Sequence, residues 1–449
     1  MIVSPAPTDE ELPVGYQTTE PGPLPTTWQI VRLGDVIEHV QNGLTRQQER
    51  EPVGLPVTRI ETIAGETINP ARVRYVAAVT ASDREKYLLK SGDILFSHIN
   101  SEPHIGKCAL YVGNPSELLH GMNLLMLRVK PELCDPQYLI YLFRRLRSRG
   151  VFAGLAARAV GQASINQGKL RALEIPLPPL SEQRAIAHVL STVQGAREAT
   201  EAVIAATRGL KKSLMRHLFT YGPVPVDQVE QVRLKETEIG PVPEYWEVAP
   251  LAVAVRESQY GLSVRGESAG TVPILRMNGL ADGRVSARDL QFVNLPQAEI
   301  AKYKLRAGDV LFNRTNSFDL VGKTALFDLP GEYVFASYLV RITTDAGKLA
   351  PAFLNCYLNW EAAQHRLKTL ASRGVSQANI SASKLKTFAL PFPPVGEQHQ
   401  VVRVLQAVDQ KLAMEEGRRQ ALVVLLGSLL HFLTAGRLRV APTVSEAPI

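Results

Sequence analysis

The chain has 449 residues, a formal net charge of +7 and a pI of about 9.2, with 45% hydrophobic and 21% charged residues. This composition is typical of a soluble globular protein of about two to four domains, and the basic balance is compatible with nucleic-acid binding. Three widely spaced cysteines exclude a disulfide framework or a zinc ribbon, and the chain has neither a signal peptide nor an apolar run of about 18 residues, so we expect a cytoplasmic protein without membrane contact.

The N-terminal half begins with an irregular leader, residues 1–27, which we expect to be partly disordered. A first globular domain, residues 28–175, follows it. Short apolar runs bounded by Gly, Pro and Asn, such as GDILF at 92–96 and NLLMLRV at 123–129, predict strands. The segment 136–150 begins with proline and predicts a helix.

A Pro-rich stop and a long helical segment end this half of the chain, and the same order then recurs. The segments are a first long helix at 176–220, a Pro-rich connector at 221–245, a second globular domain at 246–390, a second long helix at 391–436 and a tail at 437–449. Within the second domain, residues 351–371 predict one helix that begins with proline.

The two halves are copies of one another, as three pairs of segments illustrate. GPLPTTW at 22–28 matches GPVPEYW at 240–246, QNGLT at 41–45 matches QYGLS at 259–263, and PLPPLSEQ at 176–183 matches PFPPVGEQ at 391–398. The offset between matched segments drifts only from 218 to 215 residues. A register kept over that length indicates a duplicated domain and not a short solenoid repeat.

Each long helix carries apolar residues at alternating spacings of three and four, which is typical of a coiled-coil seam. Because one apolar stripe needs a partner, we predict that the two helices pair antiparallel as a stalk between the globular domains. The alternative is that each helix packs on its own domain. The residues assigned to the stalk or to a subunit interface are Glu182, Gln183, Ile186, Val189, Val193, Leu210, Leu214, Glu397, Gln398, Val404, Val408, Leu425 and Leu429. The fold class is therefore α+β, with two mixed domains that are each followed by a long helix.

The sequence offers no catalytic constellation. It contains no P-loop, no Gly-rich dinucleotide motif and no Asn-Pro-Pro-aromatic motif of amino-methyltransferases. His98, His104 and Cys108 lie close in sequence, but the second copy has Arg314, Leu320 and Thr324 there, so we expect no metal site. We therefore expect two binding domains without a catalytic residue and without a cofactor of their own.

Each globular domain carries an excess of basic residues, with 19 basic and 14 acidic residues at 28–180 and 17 and 12 at 246–395. Polar and basic side chains in predicted loops are therefore candidates for DNA contact, because Arg reads guanine, Asn and Gln read adenine, and Lys and Ser hold phosphate. The alternative is an ordinary solvated loop. The candidates are Thr45, Arg46, Arg50, Arg59, Asn100, Ser101, Lys107, Arg158 and Gln162 in the first domain, and Ser263, Arg265, Arg276, Arg314, Asn316, Ser317, Lys323, Arg373 and Gln377 in the second.

Several motifs resemble those of a known family. PLPPLSEQRAIAHVLSTV, PFPPVGEQHQVVRVLQAVDQKL, ETEIGPVPEYWEV, GDVLFNRTNS and LKKSLMRHLFT resemble the specificity subunits of Type I restriction–modification systems. The resemblance extends from about Pro25 to Arg439, which is nearly the whole chain.

The resemblance implies that each globular domain is a target recognition domain that reads one half of a bipartite, asymmetric double-stranded DNA sequence. It also implies that the helices set the spacer and dock two modification (methyltransferase) subunits, and that restriction/translocase subunits complete the complex. S-adenosylmethionine, ATP and Mg²⁺ are then expected on those partner subunits and not on this chain.

Two other interpretations remain open from the sequence. A two-headed protein–protein adaptor without DNA specificity would also use duplicated domains, although the basic excess argues against it. A fused nuclease–methylase would need catalytic motifs that this sequence lacks. Transfer of methyl groups by the purified chain alone would distinguish the fused enzyme from a specificity subunit.

Overall fold

A computed structural model describes residues 14–19, 22–159, 161–374 and 377–440 of the chain. Most of the predicted leader and the end of the predicted tail, residues 1–13, 20–21 and 441–449, lie outside the described residues. The chain divides into two compact units. Unit 1 comprises Met1–Thr200 and Arg418–Ile449, and unit 2 comprises Glu201–Gly417.

Unit 1 contains the first globular domain, here called head 1. Its strands are β1 (Tyr16–Gln17), β2 (Leu24–Pro25), β3 (Gln29–Arg32), β4 (Ile37–Asn42), β5 (Leu55–Val57), β6 (Arg74–Val76), β7 (Ile94–Phe96), β8 (Ile99–Asn100), β9 (Cys108–Leu110), β10 (Leu125–Val129), β11 (Ala157–Ala159), β12 (Gln162–Ser164) and β13 (Glu174–Leu177). Its helices are α1 (Leu33–Val36), α2 (Ala81–Tyr87), α3 (Pro136–Ser148), α4 (Val151–Leu155) and α5 (Gln167–Arg171), followed by α6 (Leu180–Tyr221), which continues into unit 2.

Head 1 is built on an antiparallel sheet with the strand order β4-β10-β7-β9. Helix α3 covers this sheet, and its Phe143 packs edge-on against Phe96 of β7 and Phe152 of α4. All three rings are completely buried. The strands predicted at 92–96 and 123–129 and the helix predicted at 136–150 are present, because their apolar residues line this core.

Unit 2 contains the second globular domain, here called head 2. Its strands are β14 (Leu234–Lys235), β15 (Val242–Pro243), β16 (Glu247–Pro250), β17 (Val255–Tyr260), β18 (Val272–Leu275), β19 (Leu280–Ala281), β20 (Gly283–Val285), β21 (Gln291–Val293), β22 (Val310–Asn313), β23 (Thr315–Asn316), β24 (Thr324–Leu326), β25 (Val334–Phe335), β26 (Leu339–Thr344), β27 (Ser372–Arg373), β28 (Ala378–Asn379) and β29 (Ala389–Phe392). Its helices are α7 (Gln297–Tyr303), α8 (Pro351–Leu358), α9 (Glu361–Thr369) and α10 (Ala382–Lys386), followed by α11 (Val395–Leu433), which continues into unit 1.

The main sheet of head 2 contains the four-strand order of head 1 and adds two strands. This six-stranded sheet has the order β17-β26-β22-β24-β20-β19, in which the first four strands correspond to β4-β10-β7-β9. The terminal strands of each head also pair, β3 with β13 and β16 with β29. One prediction needs correction. Residues 351–371 form two helices, α8 and α9, which are interrupted at Asn359–Trp360 because Trp360 adopts an extended conformation.

The two long helices have 42 and 39 residues. Gly195 and Gly209 do not interrupt α6, although glycine weakens helices. In unit 2 the helix segments run antiparallel, because Arg208 pairs with Glu416 at 2.7 Å and Lys211, further along α6, pairs with Asp409 at 2.5 Å. In unit 1, Ile186 and Leu190 of α6 share a core with Leu429 and Leu433 of α11.

The predicted coiled-coil seam is only partly correct. Ile186, Val189, Leu214 and Leu429 belong to or pack on the cores, and Val193 and Val408 are half-buried. Three of the assigned residues, Leu210, Val404 and Leu425, are exposed and therefore do not form a seam between the helices of this chain, while their assignment to a subunit interface stays a prediction. The physical reason is that each helix also packs on the head of its unit, so the buried face follows Val401, Val402 and Leu405 instead of a strict heptad.

Within the described residues, no helix is both long enough and apolar enough to cross a membrane.

Candidate nucleic-acid interface

The duplicated Pro-x-Pro…Trp and Pro-Pro-x-x-Glu-Gln motifs meet in space. Buried Trp28 donates its indole Nε1–H to the Glu182 carboxylate at 3.1 Å, and buried Trp246 donates to Glu397 at 3.0 Å. These bonds join the residue just before β3 or β16 to the first turn of the long helix that follows the head. The repeated opening of the two halves is therefore one component of a head–helix junction.

The glutamine that follows each glutamate completes the junction. The Gln183 side chain accepts from the Asp135 N–H at 2.8 Å and donates to the carbonyls of Leu133 and Pro178 at 3.0 and 2.8 Å. Gln398 repeats the pattern, accepting from the Ala350 N–H and donating to the carbonyls of Lys348 and Pro393. Both glutamines are fully buried, so their amides hold the helix start to the loop that precedes α3 or α8.

This geometry corrects the assignment of Glu182, Gln183 and Gln398 to a subunit interface, because their side chains are buried inside their own units. Glu397, which accepts from Trp246 and from the Tyr245 hydroxyl, has the same internal role. Sequence reasoning missed Arg439, whose guanidinium forms two contacts with the Glu182 carboxylate at 2.5 and 2.9 Å. The signal in the sequence for the head–helix junction is that the Trp motif and the Glu-Gln motif each occur twice, which is compatible with a contact between the two motifs in each half.

A small sheet in each head brings together candidates that are far apart in sequence. In head 1, β8 pairs with β12 and β12 with β11, so Asn100 and Ser101 adjoin the hairpin that carries Arg158 and Gln162. In head 2, β23, β28 and β27 do the same for the second set, Asn316, Ser317, Arg373 and Gln377. We call the strand pairs β11–β12 and β27–β28 the reading hairpins, because they carry or adjoin candidates for DNA contact.

The asparagines of this sheet have a structural use. The Oδ1 of Asn100 accepts from the Ser101 N–H at 2.9 Å, and Asn316 makes the same bond to Ser317 at 2.8 Å. Asn100 also donates to the Ser97 hydroxyl at 3.0 Å. The exposed side chains of Gln162 and Gln377, by contrast, have no polar partner among the residues that the structure describes.

A second group of candidates in head 1 lies on the loop after β4. Arg46 is held by Asp83 at 2.8 Å, while Thr45 and Arg50 are exposed. The loop approaches the segment before β10 so closely that a Cβ on Gly43 would lie 1.9 Å from the Gly121 carbonyl oxygen. The position therefore requires glycine, which explains why QNGLT and QYGLS share it.

The corresponding loop of head 2 carries Ser263 and Arg265, both exposed. Arg276, like Arg59 in head 1, immediately precedes a 3₁₀ turn, so the match between these two arginines reflects the shared fold. Arg59 lies 3.4 Å from Glu61. Arg314 stacks on Tyr260 at 4.8 Å and contacts Asn379 beside the reading hairpin.

The two candidate lysines lie in different surroundings. Lys107 donates to the Ala64 carbonyl at 2.7 Å and lines a cavity of 110 Å³ together with Asn100. Lys323 lines a cleft of 550 Å³ inside unit 2, together with Lys211 and Asp409 of the long helices. Lys107 therefore lies near Asn100, whereas Lys323 lies in a separate cleft of unit 2.

Two buried histidines distinguish head 1 from head 2. His98 and His120 occupy the positions of Arg314 and Phe335, as equivalent backbone hydrogen bonds show. Burial lowers the pKa of each histidine to about 4. Because an unfolded histidine titrates near 6.5, the unfolded chain binds more protons between these values, and the stabilisation present above pH 6.5 is lost as the pH falls towards 4.

We therefore expect head 1 to lose stability between pH 6.5 and 5, and the His120→Phe variant, which copies head 2, to lose less over the same interval. Urea unfolding of the full chain at both pH values, followed by hydrogen exchange in residues 118–126, measures the difference. An identical pH dependence in the variant would show that His120 does not titrate in this range.

The sequence of the chain matches the model of the Type I restriction modification DNA specificity domain at residues 25–206 and again at 263–423. It is 34% identical over 432 residues to the MjaX specificity subunit of a type I restriction enzyme from Methanocaldococcus jannaschii, covering 95% of this chain and 97% of the relative. It is 25% identical to the EcoKI specificity subunit of Escherichia coli, covering 85% of this chain and 82% of the relative.

The fold is also similar to solved structures. The Type I system S subunit from M. genitalium matches with a TM-score of 0.59 at 15% identity, covering 90% of this chain and 96% of that one. A chain from a study of complex assembly of the type I R-M system matches with a TM-score of 0.52 at 18% identity, covering 92% of this chain and 99% of that one. The chain therefore belongs to the family of Type I restriction–modification DNA specificity proteins, with two copies of the specificity domain.

Proposed function

We propose that this chain is the specificity subunit of a Type I restriction–modification complex in which each head reads one half of a bipartite, asymmetric duplex DNA sequence. The observation that carries the proposal is the pair of equivalent reading hairpins on two heads that differ in sequence. Two different half-sites can be read by two domains of the same backbone fold that present different side chains to the bases.

The exposed side chains of the heads support the DNA-reading part of the proposal. Arg50, Gln162, Arg265 and Gln377 project from loops or hairpins, and their side chains have no polar partner within the described parts of the chain. Their donors are available for base edges or phosphates, whereas Arg46 and Arg59 must first leave a carboxylate. We therefore rank the four free side chains above Arg46 and Arg59 as reading residues.

The helices support the part of the proposal that concerns partners. The described part of α11 exposes large apolar side chains, with Met414 65%, Val424 60% and Leu425 44% exposed. Exposed apolar residues of this kind suit a protein interface, and we propose that they dock two modification subunits. Restriction/translocase subunits would then complete the complex, with S-adenosylmethionine, ATP and Mg²⁺ held by the partners and no catalytic residue on this chain.

The first test concerns the helices as a spacer. Inserting four residues, one helical turn, after Val193 lengthens α6 by about 6 Å. Because successive base pairs are about 3.4 Å apart, we expect the spacer between the two half-sites to grow by one or two base pairs while both half-sites stay the same. Methylome sequencing of cells that express the full complex measures target and spacer together.

The matched control inserts the same four residues after Asp227, in the connector that precedes β14, and should leave the spacer unchanged. If no bipartite methylated sequence depends on this gene at all, the proposed function is wrong. If the target exists but its spacer keeps its length after the helix insertion, only the role of the helices in setting the spacer is contradicted.

A further inference from the structure

The residue that follows the Asn-Ser pair differs between the two heads, and in both it holds the arginine of the reading hairpin. In head 1, Glu102 forms an ion pair with Arg158 at 2.8 Å. In head 2, the equivalent residue is Phe318, and the guanidinium of Arg373 lies 3.9 Å from the centre of its ring. We call these two interactions the tethers of the hairpin arginines. The tether of head 1 is an ion pair, and the tether of head 2 is a cation–π contact.

The tether of head 1 takes one N–H donor of the arginine and offsets its positive charge. The Nη2 of Arg158 donates to the Glu102 carboxylate, and the two side chains are 67% and 52% exposed. An ion pair at this exposure contributes little to stability. Its consequence is local, because the carboxylate neutralises the hairpin cation and would repel an approaching phosphate.

The tether of head 2 leaves the donors of the arginine free. Arg373 makes no hydrogen bond or ion pair with another residue of the described ranges, and a stacked guanidinium keeps its N–H groups at its edge. Lys368 places its Nζ 5.7 Å from the centre of the same ring. Phe318 therefore orients Arg373 and supports a second cation beside it.

We propose that the position occupied by Glu102 and Phe318 determines how strongly each reading hairpin engages DNA. At head 1, Glu102 takes one N–H donor of Arg158 and offsets its charge until DNA displaces the carboxylate. At head 2, Arg373 is already oriented with its donors free. This inference rests on the proposed function, and it makes Glu102 and Phe318 positioning residues whose effect passes through Arg158 and Arg373.

The test exchanges the two residues in the full chain, assembled with its modification subunits and bound to a duplex that carries the mapped target. Glu102→Phe should raise affinity about three- to tenfold and steepen the slope of log affinity against log salt by about one, because one more cation meets phosphate. Phe318→Glu should lower affinity and flatten the slope to a similar extent. Fluorescence anisotropy over a salt series gives both quantities.

Two further variants make the result specific. Adding Arg158→Ala to Glu102→Phe should abolish the gain, because the gain acts through that arginine. Glu117→Phe, which removes another exposed carboxylate of head 1 that pairs with an arginine, should leave affinity and slope unchanged.

Two outcomes would overturn the inference. The first is a wild-type affinity and slope in both exchange variants. The second is a loss of binding in Glu102→Phe that is confined to targets with a cytosine at one position, since Glu102 would then itself accept a hydrogen bond from that base. Failure of the wild-type complex to bind any bipartite duplex would instead contradict the proposed function.

Discussion

Replacing Gln183 with leucine should lower the free energy of unfolding of unit 1 by about 2–4 kcal/mol, because three backbone groups lose the partner that the buried Gln183 amide provides. The Asp135 N–H and the carbonyls of Leu133 and Pro178 bond to the Gln183 side chain; the bond to Pro178 is buried and the other two are partly buried. Each unpaired buried group costs about 1–3 kcal/mol, and leucine fills the space without replacing any bond. Gln398→Leu should have the same effect on unit 2.

Urea unfolding of the full chain measures the loss, and hydrogen exchange locates it. Gln183→Leu should accelerate exchange at residues 133–139, and Gln398→Leu at residues 348–354. Arg184→Leu is the matched control, since Arg184 is the next residue of α6 and is exposed, so its effect should stay within about 0.5 kcal/mol. A loss below about 1 kcal/mol in Gln183→Leu would mean that the loop finds other partners.

The junction shows why sequence reasoning found the motif but not its use. The Glu-Gln pairs were visible as matched residues at the start of two helices, a place where they could cap, pair or face a partner subunit. Their partners are 151 and 154 residues away at the tryptophans, and 48 residues away at Asp135 and Ala350. Contacts at such separations leave no local pattern to read.

Local periodicity predicted the strands and helices of the heads well, because burial against one sheet imposes a regular spacing. It failed for the helix seam at Leu210, Val404 and Leu425, which are exposed. A heptad pattern identifies one buried face, whereas these helices contact both a head and another helix. The exposed apolar residues therefore matched the pattern without being buried by this chain.

The candidate interface was predictable at the level of segments but not of individual side chains. The matched Asn-Ser pairs and hairpin arginines come together because β8 pairs with β12 and β23 with β28, which the match between the copies did not predict. Whether an arginine is free, stacked or paired depends on a residue such as Glu102, 56 positions from Arg158. The stacking of Arg373 on Phe318 had no sequence signal beyond the difference between the copies.

Replacing residues 33–173 with residues 251–388 of the same chain should produce a complex that methylates a symmetric target, with the half-site of head 2 present twice as an inverted repeat. The boundaries fall just inside the paired strands, where Arg32 lies opposite Glu174 and Pro250 opposite Ala389. Trp28, Glu182 and Gln183 stay in place. The transferred segment also supplies Lys348 and Ala350, whose equivalents Gln183 requires.

The reciprocal chain, with residues 33–173 in both positions, is the matched control and should methylate a different symmetric target built from the other half-site. Methylome sequencing of cells that express each chain with the same partners gives both sequences, and together they assign each half-site to its head. A hybrid target that keeps any base of the replaced half-site would show that reading residues lie outside the heads. Because α6 and α11 are unchanged in both chains, the spacer should have the same length in the two symmetric targets and in the natural one. A spacer whose length changes with the exchanged heads would show that the heads, and not the helices, set it.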